Sequence, residues 1–205
     1  MSYQNLEITI EVHVATVTLA RTDSMNALSL SFSAEIAKAF RELGANDEVR
    51  AIVLASKAKA FCAGLDLKEF AAIGMKGTAK SSLEFPEKLR ALFESCDGIE
   101  ACPKPVIAAV NGMCIGGGLD IISACDIRLC TQDATFSLRE AAIGLVADMG
   151  VLQRLPHVIG QGFTREMAFT ARFYKAEEAE KMGLVNAVYP DQPAMMEAAI
   201  KLARQ

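Results

Sequence analysis

The chain has 205 residues, of which 52% are hydrophobic and 22% charged, and a net charge of −4. That composition supplies enough apolar material for one sizeable core, and its acidic balance excludes a general affinity for nucleic acid or for an anionic membrane surface. The sequence has no uninterrupted apolar run of about 18 residues to span a bilayer. Its start, MSYQNLEITIEV, lacks the basic-then-apolar pattern of a targeting peptide.

Residues 6–20, LEITIEVHVATVTLA, alternate apolar and polar in two runs and predict a strand pair. RTDSMNAL reads as a polar turn. Phe32, Ile36, Phe40 and Leu43 recur at helical spacing, and Gly-Ala-Asn-Asp stops that helix. AIVLAS (51–56) predicts a buried strand, followed by the loop and helix of KAKAFCAGLDLKEF. Residues 71–82 are small and polar and read as a mobile surface segment, and a helix follows over roughly 83–98. KPVIAAV predicts a strand closed by Asn111–Gly112, and then come a helix (LDIISACD) and two strands (IRLCT and ATFSL). GVLQRLPHVIG and QGFTREMAFTA read as separate helices. KAEEAEKMGLVNAVYP reads as a helix, a glycine stop and a last strand, and DQPAMMEAAIKLARQ starts another helix. Alternating strands and helices on short links predict an α/β architecture.

The six cysteines, Cys62, Cys96, Cys102, Cys114, Cys125 and Cys130, form no C-x-x-C pair, and the two histidines, His13 and His157, are far apart. No metal site is predicted from them. Most of these cysteines lie in apolar runs, where Cys acts as a small hydrophobe, and a reducing compartment is expected.

Two loops occupy the same relative place, after a buried strand and before a helix: AFCAGLDL and NGMCIGGGLD. Ligands of open α/β sheets bind at such junctions. Gly116, Gly117 and Gly118 can expose bare N–H groups at a helix start to a negatively charged oxygen. They can equally serve a tight turn with close helix–strand packing. The loop is neither a P-loop nor G-x-G-x-x-G, and no G-x-S-x-G elbow exists.

Three carboxylates lie near element ends in mostly apolar stretches: Asp120, Glu140 and Asp148. Taken singly, each has an ordinary explanation. Asp120 suits the first turn of a helix, Glu140 a solvated loop, and Asp148 the cap of a helix starting near Gly150. Taken together in an apolar cleft, they would carry raised pKa values and exchange protons near neutral pH. An oxyanion-binding glycine loop with proton-transfer carboxylates equips a site for enolate chemistry beside a carbonyl.

The stretches SMNALS, AFCAGLDLKEF, KPVIAAVNGMCIGGGLDIISACDIRLC, ATFSLREAAIGLVADMGVLQRLPHVIG and AEEAEKMGLVNAVYP resemble the enoyl-CoA hydratase/isomerase (crotonase) superfamily over nearly the whole chain. The resemblance implies a ClpP/crotonase-like spiral of ββα units, with a core over 1–190 and the start of a helical C-terminal region over 191–205. Family members usually continue further, so that region would be truncated here. It also implies an acyl-coenzyme A thioester as substrate, a homotrimer or hexamer, and no metal, redox or other cofactor, coenzyme A being part of the substrate.

By the family pattern the amides of Leu65 and Gly117 form the oxyanion hole. Ala27, Ala63, Gly64, Leu65, Asp66, Leu67 and Gly117 match the stretch around the coenzyme. Arg21, Lys57, Lys59 and Lys68 could meet its phosphates, although scattered lysines also suit a solvated face.

The set Asp120, Glu140 and Asp148 resembles that of the dienoyl-CoA isomerases within the superfamily, which move the double bonds of 3,5-dienoyl-CoA to the 2,4 positions in fatty acid β-oxidation. Glu140 and Asp148 would then lie on either side of the acyl chain, one taking a C2 proton and the other delivering one at C6. Two other readings stand beside this one. The first is an enoyl-CoA hydratase or Δ3-Δ2-enoyl-CoA isomerase using Asp120 and Glu140. The second is a non-catalytic acyl-CoA-binding homologue. A bacterial source would place the chain in the cytoplasm, and a eukaryotic one would allow a mitochondrial or peroxisomal matrix.

Overall fold

A computed structural model describes residues 3–73 and 79–205. The strands in chain order are β1 (Leu6–Glu11), β2 (Val14–Leu19), β3 (Ala51–Ser56), β4 (Val106–Val110), β5 (Met113–Ile115), β6 (Ile127–Thr131), β7 (Thr135–Ser137), β8 (Tyr174–Lys175) and β9 (Ala187–Tyr189). β1 and β2 form the predicted strand pair, which is antiparallel and joined through Val12 and His13, both at positive φ as a tight hairpin demands. β3, β4, β6 and β9 extend this sheet in parallel, in the order β1-β2-β3-β4-β6-β9. β5, β7 and β8 form a small second sheet.

The parallel strands are covered on both faces, so every residue of β3 and β4 is buried and their sequences read as unbroken apolar runs. Successive side chains still divide between two cores. Ile52, Leu54, Val106 and Ala108 join the larger one, and Val53, Ala55, Ile107 and Ala109 the smaller.

The helices are α1 (Leu30–Gly44), α2 (Leu67–Ile73), α3 (Ala79–Glu100), α4 (Gly117–Ser123), α5 (Val151–Thr170), α6 (Ala176–Lys181) and α7 (Gln192–Ala203). The hydroxyl of Ser29 caps α1 by accepting from the Phe32 amide at 3.1 Å. Phe32, Ile36, Phe40 and Leu43 are all buried in the larger core. α7 covers the other face of the sheet, where Met195 and Ala199 complete the smaller core. The predicted division of 150–171 into two helices also appears. Gly160, at φ 76° and ψ 164°, interrupts α5 between the two segments.

Three expectations are corrected. Residues 71–73 end α2 and residues 79–82 begin α3. The expected mobile surface segment is therefore helical at both ends, and its centre, 74–78, lies outside the described residues. Small polar residues are compatible with a helix, and Ala and Lys favour one. β5 and β8 were not expected, because two or three residues are too short to display a period. RTDSMNAL is more than a polar turn: Thr22–Ser24 is a single 3-10 turn, and Asn26 behind it is fully buried.

Candidate active site

The two strand-to-helix loops meet edge to edge. Cys62 donates its amide to the Met113 carbonyl, and its own carbonyl accepts from Ile115, both at 3.1 Å. On the opposite edge the chain from Met25 to Leu28 pairs with the same loop: Ala63 donates to Met25, Leu28 to Gly64 and Asp66 to Leu28. The neighbours of Leu65 thus hold the ladder to Leu28, while the Leu65 amide enters no backbone hydrogen bond among the described residues.

In the glycine loop, Gly116 adopts φ 50° and donates to the Ser137 carbonyl at 2.9 Å. Gly117 is the first residue of α4, so its amide has no acceptor within the helix. A Cβ on Gly64 would stand 3.1 Å from the Ile115 carbonyl and 3.7 Å from the Gly117 nitrogen, which shows how closely the loops approach. A Cβ on Gly117 would meet Leu28 Cδ1 at 2.7 Å.

A cavity of about 430 Å3 is lined by Leu65, Asp120, Glu140 and Asp148 together with an apolar wall that includes Phe70, Leu89, Leu92, Phe93 and Met149. The three carboxylates singled out in the sequence therefore converge on one space. Gly117 sits at its edge, since a Cβ there would stand 3.7 Å from Met149 Sδ.

The carboxylates differ in setting. Asp120, in the first turn of α4, is 1% exposed. Its Oδ1 accepts from the Val151 amide at 2.9 Å, and its Oδ2 is buried with no partner. Burial pushes its carboxyl up to about 7. The Val151 N–H opposes that rise, and the charges of Glu140 and Asp148 add to it. Glu140 opens a 3-10 turn after β7 (Glu140–Ile143) and is half-buried, with Oε2 sealed from solvent and unpaired. Burial, and then the charge of Asp148, raise its pKa. Oε1 lies against Gly116, 3.0 Å from where a Cβ would stand. Asp148 is on the exposed rim, and partial desolvation raises it as well.

Two ordinary explanations therefore fail. Glu140 is not a freely solvated loop residue. Asp148 does not cap α5: the capping position belongs to Gly150, at φ 98° with no side-chain bond, and Asp120 supplies the carboxylate from a different helix.

The residues matched to the coenzyme surround the first loop. Arg21 donates to the Ala27 carbonyl at 2.6 Å and forms an ion pair with Asp66 at 2.8 Å, which lowers the pKa of Asp66. The guanidinium and Asp66 are thus engaged with each other, and Lys57 pairs with Glu7 at 2.6 Å. Lys59 and Lys68 are exposed, as is Leu67, while Ala63 and Gly64 belong to the clamped loop.

Sequence reasoning missed Asn26. It is fully buried at φ 55°, and its Nδ2 donates to Ser56 Oγ, the Ala60 carbonyl and the Phe61 carbonyl at 2.8–3.4 Å. It ties the segment leading to Leu65 onto the end of β3. Its one visible signal was a polar residue amid the small apolar ones of SMNALS. The aromatic and leucine wall was also missed, because α2 and α3 form it by packing across the chain.

A family model described as enoyl-CoA hydratase/isomerase matches residues 9–205. The chain is 44% identical over 210 residues to a human protein named Delta(3,5)-Delta(2,4)-dienoyl-CoA isomerase, mitochondrial, covering 100% of this chain and 64% of that one. It is 41% identical over 196 residues to an Arabidopsis thaliana protein of the same name from the peroxisome, covering 92% of this chain and 70% of that one. Among solved structures, an enoyl-CoA hydratase from Bacillus anthracis superposes with a TM-score of 0.87 at 32% identity, over 98% of this chain and 75% of that one. The fold is that of the crotonases, and the chain belongs to the enoyl-CoA hydratase/isomerase family. It spans about 64% of the length of the human relative.

Proposed function

We propose that the protein moves the double bonds of a 3,5-dienoyl-CoA thioester to the 2,4 positions. The observation that carries this reading is that Asp120, Glu140 and Asp148 line one mostly apolar cavity together with Leu65. The names of the human and Arabidopsis relatives support it.

In this reading the thioester oxygen accepts hydrogen bonds from the amides of Leu65 and Gly117. Among the described residues neither has a backbone acceptor of its own, and both stand at the meeting of the two loops. Donors fixed in advance at the oxygen stabilise the negative charge that develops there, each contributing about 3 kcal/mol to the barrier in comparable sites. Glu140, packed on Gly116, sits at the thioester end and takes the C2 proton. The electron pair spreads over the oxygen and the diene as a dienolate. Asp148, further along the same wall, delivers a proton at C6. The double bonds then lie at C2 and C4, and one proton has been lost and one gained. Asp120, behind them, adds a third carboxyl and anchors α5.

The raised pKa values suit this exchange, because a carboxyl that holds its proton nearer neutrality can both take and return one. Coenzyme A is bound as part of the substrate beside Ala27, Ala63–Leu67 and Gly117, and the exposed Lys59 and Lys68 are open to its phosphates. A trimer or hexamer is the assembly expected of this family. The names of the relatives support a mitochondrial or peroxisomal matrix in a eukaryote.

The test is an ultraviolet assay of 3,5-dienoyl-CoA for the conjugated 2,4-product, run beside hydration of a 2-enoyl-CoA. Isomerisation that Asp148→Asn abolishes is the expected result. Hydration that survives Asp148→Asn, with no dienoyl conversion in the unaltered protein, would instead favour a hydratase working through Asp120 and Glu140.

A further inference from the structure

Asp148 sits on a strap that runs from Gly144 to Gly150 and is irregular over 145–148. Both glycines are at left-handed φ, 76° and 98°. Among the described residues, the backbone of 145–149 is tied to the rest of the fold by one hydrogen bond at each end. At the start the Leu145 amide donates to the Glu140 carbonyl at 2.9 Å. At the end the Met149 carbonyl, next in the chain to Asp148, accepts from Nη1 of Arg154 at 2.8 Å.

The same guanidinium reaches across to α3. Its Nη2 donates to Asp97 Oδ1 at 3.0 Å and to Glu100 Oε2 at 2.8 Å. The Arg154 side chain is 9% exposed, against 67% and 57% for its two partners. Phe93, Asp97 and Glu100 are spaced i, i+4 and i+7 and share one stripe of α3, and Phe93 lines the candidate active site. Gly150 leaves the room that this arrangement needs, since a Cβ there would stand 2.7 Å from Arg154 Cζ. Ion pairs to exposed carboxylates add little stability. What they fix is the direction of a planar fork whose other arm holds the strap.

We infer that Arg154 is a positioning residue for Asp148: by holding the Met149 carbonyl to the end of α3, it sets where the Asp148 carboxyl stands against the Phe93 wall. The inference rests on the proposed reading of Asp148 as the acid that serves C6. Glu140 lies beyond the other end of the strap, on the turn after β7, and Arg154 makes no hydrogen bond to that turn among the described residues. Loss of the Arg154 grip should therefore separate the two proton transfers, sparing removal at C2 and impairing delivery at C6.

The experiment follows a 3,5-dienoyl-CoA in deuterated buffer. Deuterium entering C2 of the unconverted thioester reports Glu140, and formation of the 2,4-product reports both groups. Two variants are compared with the parent protein: Arg154→Met, and Asp97→Asn combined with Glu100→Gln. The second alters only exposed side chains, so it carries the test if the first does not fold. In each, the ratio of C2 exchange to conversion is expected to rise, by up to about a hundredfold, the usual cost of a small misplacement of a reacting group. Arg154→Lys, a single-point cation, should restore part of the conversion lost in Arg154→Met.

An unchanged ratio in the folded variants overturns the assignment, because a merely structural role would lower exchange and conversion together. That result would leave the proposed reaction standing, since the parent protein would still convert the dienoyl thioester. A parent protein that neither exchanges nor converts it would overturn the proposed reaction and this assignment with it.

Discussion

Asp120 caps a helix other than its own: its Oδ1 receives the Val151 amide at 2.9 Å, thirty-one residues along the chain. The bond ties the glycine loop, which leads into α4, to the start of α5, and the strap bearing Asp148 ends at that same start. The site is thus assembled by a carboxyl that pays a large desolvation cost, its other oxygen being buried and unpaired.

That cost sets a pH dependence. The carboxyl of Asp120 titrates at about 7 in the folded chain and near its ordinary 3.8 when unfolded. Between those values the native state holds a proton that the unfolded state has released, so this group's contribution to stability is full at low pH and declines as pH rises through about 7. The slope has a ceiling of about 1.4 kcal/mol per pH unit. Asp120→Asn keeps an oxygen for the Val151 amide and removes the titration. Thermal melts from pH 4 to pH 8 are expected to fall less steeply in that variant than in the parent protein.

Glu140→Gln should reduce isomerisation by about a hundredfold to ten-thousandfold, the usual span for loss of a proton-transfer group. Its stability should stay level or rise, because the desolvated carboxyl is gone. Steady-state rates with a 3,5-dienoyl-CoA, set beside the melting temperature, separate the two effects. A loss of activity that tracks a loss of folding would contradict the role given to Glu140.

Gly117→Ala places a methyl 2.7 Å from Leu28 Cδ1, and Leu28 is a buried core residue. Relief requires the buried Leu28 side chain or the helix start to shift, and the second takes the Gly117 amide with it. The expected outcome is a destabilisation of about 1–3 kcal/mol and a fall in kcat of about a hundredfold or more. Denaturant melts and turnover measurements check both.

Asn26→Ala removes the donor shared by Ser56 Oγ and the Ala60 and Phe61 carbonyls. Ser56 Oγ and the Ala60 carbonyl keep their bond to each other, so the Phe61 carbonyl is the acceptor that loses its donor, at a cost of about 1–3 kcal/mol, and a left-handed alanine adds about 1–2 kcal/mol. Asn26→Gly relieves only the second cost. A comparison of the two variants by urea denaturation should find the glycine variant less destabilised. Both should lose turnover if the clamp on the Leu65 loop sets the aim of its amide.

The long elements were legible because their patterns are local. The spacing of Phe32, Ile36, Phe40 and Leu43 announces α1, and the apolar runs of β3 and β4 announce buried strands. The carboxylates and the glycine loop could be singled out by type and position. Partners across the chain could not. Nothing near Asp120 in the sequence points to Val151, nothing near Arg21 points to Asp66, and nothing in SMNALS shows that Asn26 is buried. The Phe70, Leu89, Leu92 and Phe93 wall likewise exists only once α2 and α3 are packed.

The strap between Gly144 and Gly150 belongs to neither the sheet nor a helix, and it leaves Asp148 facing water. Apart from Met149, which is buried in the larger core, its residues are exposed or half-buried and less constrained than the interior. An exchange of Asp148 for a small neutral residue should abolish proton delivery at C6 while the scaffold melts at nearly the same temperature. Asp120 and Gly117 serve architecture and site at once, whereas at Asp148 the chemistry can diversify without endangering the scaffold.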